Sequence, residues 1–273
     1  MNMDNLFDLT NKVAVVTGAG GALGGAAARY LGAQGVTVVC VGRTANTIES
    51  TSRAINNSGG ISLPLPGDVL QENSMQEIKE RIMSEYGQLD ILLNAAGGNQ
   101  PGAVVSPDQS FFDMSIDAFQ QVTDLNLKGT VLPSLILGKI MADQNKGSIV
   151  NYSSMAVPRA ITRVAGYSAS KAGAENFTRW MAVEMAHKLG EGIRVNAVAP
   201  GFFIGDQNRA LLTNPDGSLT SRGAAIVRNT PFGRFGEPEE LNGAIHYLCS
   251  DASHFVTGIV IPVDGGFSAF SGV

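Results

Sequence analysis

The string YSASK at residues 167–171 places a tyrosine and a lysine four residues apart. On a helix, this spacing puts Tyr167 and Lys171 on the same face. A free tyrosine has a pKa of about 10, so at neutral pH it is a poor general base. A neighbouring ammonium favours the phenolate and lowers that pKa, and general acid–base catalysis needs a pKa near the operating pH. The pair therefore predicts proton transfer at a substrate oxygen.

A second candidate is the string VTGAGGALGG at residues 16–25. It follows the apolar run 13–16 and precedes a helical pattern that opens with alanines. Glycines let the backbone approach a ligand closely, and a helix N-terminus offers unpaired N–H groups and a positive dipole end to phosphate. The order strand, glycine loop, helix, strand favours a bound pyrophosphate over a structural turn.

These residues must be positioned by short apolar runs that alternate with longer helical patterns. The predicted strands are 12–17, 36–41, 61–65, 89–93, 147–152, 192–198 and 257–261. The predicted helices lie near 22–34, 44–57, 71–86, 115–143, 165–189 and 237–249. Most of the strands are apolar throughout, as expected for parallel strands covered on both faces. The repeated βα pattern predicts an open parallel sheet with helices on both sides.

Composition excludes several function classes. The chain has 273 residues, 44% of them apolar, and a net charge of −5. No Lys/Arg run suggests a nucleic-acid partner, and no apolar stretch approaches the roughly 20 residues that cross a bilayer. The N-terminal residues contain no long apolar run, so we do not expect a secretory signal there. We expect buried free thiols at Cys40 and Cys249, no metal ligands, and a cytoplasmic protein.

Further motifs give the chain a resemblance to the short-chain dehydrogenase/reductase family along nearly its whole length. The family loop reads T-G-x-x-x-G-x-G; Thr17, Gly18 and Gly24 match it, whereas Ala22 replaces the middle glycine. The string NAAG at 94–97 is similar to the family's N-N-A-G. The PG turn at 200–201 also matches, but Gly205 stands where the family usually has a threonine.

The resemblance implies an α/β fold of Rossmann type: a doubly wound, mostly parallel seven-stranded sheet with helices on both faces. It also implies a single dinucleotide-binding domain over 1–273. The implied catalytic residues are Asn126, Ser154, Tyr167 and Lys171. In the family the serine holds the substrate oxygen, the lysine binds the cofactor ribose, and the asparagine holds a water that links the lysine to solvent. The cofactor-binding candidates are Gly18, Gly20, Gly21, Ala22, Leu23, Gly24, Arg43, Thr44, Asp68, Val69, Asn94, Ala95, Ala96, Gly97, Tyr167, Lys171, Pro200, Gly201 and Phe203.

The end of the second predicted strand usually selects between NAD and NADP. An acidic residue there would bind the ribose 2′-hydroxyl, but this chain has Gly42 followed by Arg43. Arg43 can pair with a 2′-phosphate, and no carboxylate repels one. This favours NADP over NAD, although Arg43 could also face solvent at the start of the next helix.

Polar residues in three segments around Tyr167 are candidates for substrate contacts. The segments are 97–103, 155–167 and a flap at about 202–232. The candidates are Asn99, Gln100, Arg159, Arg163, Gln207, Asn208 and Arg209. This partly basic set suits a hydroxylated anion such as a sugar acid. The strings GGNQPGA, GRFGEPEEL and VDGGFSAFSGV resemble a D-mannonate oxidoreductase (fructuronate reductase) subgroup, and gluconate 5-dehydrogenase is an alternative.

Two other functions stay open at this point. A 3-oxoacyl carrier-protein reductase would use the same four catalytic residues, but should carry a basic patch for its acidic partner. A cofactor-binding sensor should have lost one of the four. Most relatives are tetramers, so we expect a homotetramer that acts on a small molecule.

Overall fold

The computed structural model describes residues 5–205 and 208–272. Its centre is a seven-stranded sheet in the order β3-β2-β1-β4-β5-β6-β7, with every neighbouring pair parallel. The strands are β1 (Val13–Thr17), β2 (Thr37–Gly42), β3 (Ile61–Pro66), β4 (Ile91–Asn94), β5 (Gly147–Tyr152), β6 (Ile193–Pro200) and β7 (Val260–Val263). The predicted Rossmann-type fold is confirmed.

The central strands of the sheet are buried on both faces, which explains why most of their residues are apolar. Along β1, Ala14 and Val16 pack into the core on one face, and Val13 and Val15 pack into the core on the other. Side chains alternate between faces along a strand, so only an uninterrupted apolar run fills both cores. Cys40 and Cys249 are buried free thiols.

The helices cover the two faces of the sheet and connect its strands. They are α1 (Ala22–Ala33), α2 (Ala45–Asn57), α3 (Glu72–Tyr86), α4 (Ile116–Thr123), α5 (Gly129–Ile136), α6 (Gly138–Gln144), α7 (Ala165–Leu189), α8 (Arg209–Leu212), α9 (Ser221–Arg228) and α10 (Asn242–Cys249). The strand order reverses at β1: the sheet continues to β2 and β3 on one side of β1 and to β4 on the other. A crevice forms at the carboxyl ends of strands at such a point.

The helix predicted near 115–143 is confirmed in its bounds, because helical backbone runs from Ile116 to Gln144. It is not a regular α-helix: it consists of α4, a π-helical turn at Asp124–Lys128, α5 and α6, and the residues at the junctions keep right-handed helical dihedrals. Pro133 lies inside α5 and cannot donate a backbone hydrogen bond, which weakens the helix locally. The π turn widens the helix at Asn126, one of the predicted catalytic residues; such turns often occur at functional sites.

The last strand is displaced from its predicted position of 257–261. It begins at Val260, where it pairs with Ala197 of β6. Gly258 has φ +79°, a left-handed conformation that interrupts an extended strand. The apolar run therefore starts before the backbone becomes extended. The other six strands begin and end within two residues of their predictions.

The segment 202–232 does not form another βα unit. Its described part contains α8 and α9, and an isolated bridge joins Phe203 to Gly236 beyond it. The C-terminal tail lies beside this segment: Phe267 meets Phe202 edge-on, with ring centroids 5.1 Å apart.

Candidate active site

The glycine loop after β1 is shaped by two close backbone contacts. Gly18 adopts φ +68°, and a Cβ there would lie 2.8 Å from Cα of Ala96 in the loop after β4. A Cβ on Gly24 would lie 2.4 Å from the carbonyl oxygen of Gly18. Neither position accepts a side chain without movement of the backbone. Backbone atoms of this loop, not covered by side chains, therefore lie at the opening of the crevice.

The N-terminus of α1 faces this loop without a side chain to cap it. The cap residue is Gly21, and no acidic residue lies in the first turn. The first N–H groups of α1 thus keep their positive potential for a ligand anion. Ala22, which replaces a family glycine, faces the flap: a Cβ built on Gly205 would lie 3.1 Å from its Cβ. Two of the departures from the family pattern, Ala22 and Gly205, therefore lie against each other.

A cleft of about 570 Å³ extends from the loop along the carboxyl ends of the strands. Most of the predicted cofactor-binding residues line it. These are Gly18, Gly20, Gly21, Ala22, Leu23, Gly24, Arg43, Thr44, Val69, Ala95, Ala96, Gly97, Tyr167, Lys171, Pro200, Gly201 and Phe203. Ser154 lines it too.

Asp68 and Asn94 are placed outside the lining of this cleft. The Asp68 carboxylate accepts a hydrogen bond from the Leu70 amide at 3.0 Å and so shapes the turn after β3. Asn94 is buried and donates to Asn151 Oδ1 at 2.8 Å and to Ser134 Oγ at 2.9 Å. Its amide therefore ties β4 to β5 and α5 beneath the cleft.

Lys171 is 3% exposed, and its ammonium lies under the cleft. Nζ donates to the carbonyl oxygen of Tyr152 at 2.6 Å. Burial lowers the Lys171 pKa from its ordinary value of 10.5 to about 8, because a dry site penalises the charged form. The lysine is thus a cation at neutral pH, and it loses its proton when the pH rises only slightly above neutral.

Tyr167 is half-buried and packs against a small apolar cluster of Ala103, Ala118 and Val122. Lys171 Nζ lies 5.7 Å from the centroid of its ring. Burial raises the pKa of Tyr167, and a hydrogen bond with the Ser154 side chain partly opposes that rise. The phenol is therefore protonated at neutral pH and placed beside a serine hydroxyl and a cation.

Asn126 is fully buried on the π turn and holds the loop after β4. Its amide donates to the Gly98 carbonyl at 2.7 Å and accepts from the Gly98 N–H at 3.0 Å. A Cβ on Gly97 would lie 2.7 Å from Asn126 Oδ1 and 3.2 Å from Lys171 Nζ. The structure thus brings the four predicted catalytic residues together around the same end of the cleft.

Several predicted substrate contacts are already engaged within the protein. Arg159 donates to the Ser268 and Phe270 carbonyls and holds the C-terminal tail. Gln100 donates to Gln121 Oε1 at 2.9 Å. The Asn208 amide reaches the cleft, but it also braces the flap through Phe203 O and the Gly205 N–H.

The other four candidates stand apart from these three. Asn99 and Arg209 are exposed and do not line the cleft. Arg163 lies at a separate cavity, and Gln207 falls outside the described residues.

Sequence reasoning missed several cleft residues: Gly42, Thr47, Gly67, Gly98, Leu125, Tyr152, Ser153, Phe202, Ile204 and Gly205. Thr47 was open to prediction, since it stands three residues after Thr44 on the first turn of α2 and so shares its side of the helix. Nothing in the sequence distinguishes the aromatic and aliphatic residues of this set from ordinary core residues. Ser153 contributes to the wall, but its hydroxyl donates to Glu175 at 2.6 Å.

The charge of the cleft is one-sided. Among its described lining residues, Arg43 and Lys171 are the charged side chains, and no carboxylate is present. Within 5–205 and 208–272, no group of three His, Cys, Asp or Glu side chains could hold a metal ion. The arrangement suits an anionic ligand with a reacting group beside Tyr167.

Comparisons with known proteins match this chain to oxidoreductases. The family model described as enoyl-(acyl carrier protein) reductase matches residues 18–268. An uncharacterised oxidoreductase called UxuB, from Bacillus subtilis strain 168, is 43% identical over 275 residues, which cover 97% of this chain and 98% of the relative.

Two solved structures extend the comparison. A provisionally named D-mannonate oxidoreductase from Haemophilus influenzae, with bound NAD, has a TM-score of 0.91 and 38% identity, covering 97% of this chain and 98% of that one. A gluconate 5-dehydrogenase from Burkholderia cenocepacia J2315, in complex with NADP and tartrate, has a TM-score of 0.86 and 27% identity, covering 97% and 98%. No described helix has the length and apolar character needed to cross a bilayer.

Proposed function

The chain belongs to the short-chain dehydrogenase/reductase family of NAD(P)-dependent oxidoreductases, and from that premise we propose that its substrate is a sugar acid of the D-fructuronate/D-mannonate type. The observation that carries the hydride-transfer reaction is the proximity of Tyr167, Lys171, Ser154 and Asn126 at one end of a cleft that fits a dinucleotide. The intact set argues against a non-catalytic sensor.

The residues present fit a nicotinamide dinucleotide. Gly18 and Gly24 leave room where a Cβ would collide with backbone, and the uncapped N-terminus of α1 can hold a pyrophosphate. When bound, the nicotinamide supplies or accepts the hydride. Lys171 would hold the ribose hydroxyls nearby.

In the proposed reduction, Ser154 holds the carbonyl oxygen of the substrate and Tyr167 gives it a proton. Lys171 stabilises the phenolate that remains, because a cation beside a phenolate favours the charged form. That effect opposes the rise in the Tyr167 pKa caused by burial. Asn126 positions the loop at Gly98; its water-mediated link to Lys171 stays a prediction. In the oxidation of an alcohol, the same groups act in reverse.

We assign NADP as the preferred cofactor, with NAD as the alternative. Arg43 is exposed at the cleft and immediately precedes Thr44, the cap residue of α2, whose hydroxyl does not cap the helix. A guanidinium, a free hydroxyl and a helix N-terminus suit a 2′-phosphate, and no described carboxylate lines the cleft to repel it.

The choice of a sugar acid rests on the relatives and on the positive charge of the cleft. The two solved relatives described above bear the names of sugar-acid enzymes, and one holds the hydroxylated dicarboxylate tartrate. Gluconate 5-dehydrogenase activity is the alternative within this class. A 3-oxoacyl thioester would need a surface for an acidic carrier protein, and this chain has a net charge of −5 with no Lys/Arg run.

We further propose that the chain acts as a single domain with a substrate flap at about 202–232, in a cytoplasmic homotetramer. Exposed apolar side chains on the outer helices support assembly: Ile116 is 70% exposed, Trp180 60% and Val183 56%. In this proposal the protein acts on a small molecule and binds neither nucleic acid nor a membrane. Light scattering on the purified protein tests the assembly, and a monomeric mass would refute it.

The test of function is turnover by the purified protein. Loss of reduced-nicotinamide absorbance is followed with D-fructuronate, 5-keto-gluconate and an acetoacetyl thioester, each with NADPH and with NADH. We expect rapid loss with fructuronate and NADPH. Loss with the thioester alone would move the protein to acyl reduction, and preference for NADH would contradict the role given to Arg43.

A further inference from the structure

A second cavity, of about 500 Å³, lies beside the loops that lead to Tyr167. It is formed by the loop after β4 and by the loop that enters α7. Its lining residues are Val105, Pro107, Phe111, Ile161, Thr162, Arg163, Val164 and Ala165. Ala165 begins α7 only two residues before Tyr167. In this apolar wall, Arg163 is the charged side chain among the described residues.

Arg163 is held in an unfavourable backbone conformation. Its φ is +78°, and the other non-glycine residues described with positive φ, Asn11 and Asn145, are of a type that tolerates this region. The Val105 N–H donates to the Arg163 carbonyl at 3.0 Å and fixes it there. Strain of this kind concentrates at functional sites. The loop is thus built to present one particular side chain.

A second arginine, on the flap, contacts the cavity-lining residue Thr162. Arg222, in the first turn of α9, donates through Nη1 to Thr162 Oγ1 at 3.3 Å. Burial lowers its pKa, and the nearby charge of Arg163 lowers it further. Neither guanidinium lies within 4.0 Å of a carboxylate in the described part of the chain. Two like charges brought together without a counterion favour an anion between them.

We propose that Arg163 and Arg222 form the binding site for the substrate carboxylate, an inference that rests on the proposed function. Guanidinium groups bind carboxylates through paired, charge-assisted hydrogen bonds. The carboxylate is then anchored at this second cavity, while the carbonyl extends toward Tyr167. The pair selects keto acids over neutral ketoses, which lack the charge.

The experiment compares two substrates that differ in this group. D-fructuronate carries a carboxylate where D-fructose carries a hydroxymethyl group. The variants are Arg163→Asn, which removes the charge with a residue tolerant of positive φ, and Arg222→Gln, which can keep a bond to Thr162. The matched control is Arg228→Gln, an exposed arginine on the same helix. Arg222→Lys tests whether charge alone restores binding.

We expect kcat/KM for fructuronate to fall about 10- to 100-fold in each variant, since a hydrogen bond to a charged group is lost. The slow rate with fructose and the KM for NADPH should not change in these variants. The control variant should keep the wild-type kcat/KM for fructuronate. Equal losses on both substrates, or no loss on either, would overturn the proposal. So would a change in the mass of the assembly with unchanged kcat/KM, because the arginines would then belong to a subunit contact.

A binding measurement separates this proposal from the proposed function. Tartrate binding is followed by calorimetry on the NADP⁺-loaded protein, without turnover. If fructuronate is not a substrate but tartrate binds about 10-fold more weakly to both variants, the proposed substrate fails and the carboxylate site stands. If tartrate binds the variants as it binds the wild type, or does not bind the wild type, the carboxylate site is wrong.

Discussion

Replacing Lys171 with methionine should abolish turnover and yet make the folded protein more stable at pH 7. The ammonium is 3% exposed, and burial lowers its pKa from 10.5 to about 8. At about 1.4 kcal/mol per pH unit, that fall corresponds to about 3 kcal/mol of destabilisation when the lysine is charged. Methionine removes this cost and has a similar length.

The variant also loses a contact, which reduces the gain. Lys171 Nζ donates to the Tyr152 carbonyl at 2.6 Å, and a lost hydrogen bond costs about 1 to 2 kcal/mol. We therefore expect Lys171→Met to be more stable than the wild type by about 1 to 2 kcal/mol at pH 7. Active sites often hold groups that reduce stability in this way.

The pH dependence gives the stricter test. Below pH 8 the Lys171 amine is protonated in both the folded and the unfolded chain, so the full penalty applies. Between pH 8 and 10.5 the unfolded chain binds more protons, and wild-type stability rises with pH. By pH 9.5 the wild type should regain about 2 kcal/mol, which removes the advantage of the variant.

The assay is urea unfolding of both proteins from pH 6.5 to 9.5 at one protein concentration, because subunit association would add a concentration dependence. Lys146→Met, at an exposed lysine, is the control and should follow the wild type at every pH. A Lys171→Met protein less stable than the wild type by the same amount at every pH would refute the reasoning. The buried amine would then be stabilised as a cation.

Three further variants test the rest of the site. Arg43→Ala should raise the KM for NADPH about 10- to 100-fold and leave the KM for NADH nearly unchanged, because a single charge-assisted phosphate contact is lost; equal effects on the two would contradict the 2′-phosphate site. Tyr167→Phe should lower kcat about 10²- to 10⁴-fold with NADPH binding retained in a fluorescence titration. Gly18→Ala should destabilise the protein by at least about 1 kcal/mol in urea unfolding, because its φ is +68° and the new methyl meets Ala96; normal stability would show that the loop can move away.

The sheet was predictable because both of its faces are buried. Most of the strands are dominated by apolar residues, and the positions of six strands were predicted to within two residues. The seventh was displaced because Gly258 turns the backbone inside the apolar run. The long helix near 115–143 was predictable in its bounds, but its π turn at 124–128 was not, because no residue of that turn forbids regular α-helical hydrogen bonds.

The candidate site was predictable where the backbone sets its geometry. Gly18 and Gly24 have no alternative at their positions, and the spacing of Tyr167 and Lys171 is fixed by α7. The polar contacts of flexible side chains were not predictable. Arg159 was expected to touch substrate, but it bonds the carbonyls of a tail more than a hundred residues away. A sequence does not indicate which distant carbonyl a guanidinium will reach.

The one-sided charge of the cleft has a consequence for how fast the cofactor arrives. The protein carries a net charge of −5, yet Arg43 and Lys171 are the charged groups among the described lining residues. A positive cleft on an acidic protein guides a negatively charged dinucleotide to one entrance and repels it elsewhere. Because the Debye length is about 10 Å at 0.1 M salt, added salt should slow this encounter more than it speeds release. The association rate constant of NADPH would then fall with ionic strength, and that dependence would weaken once Arg43 is neutral.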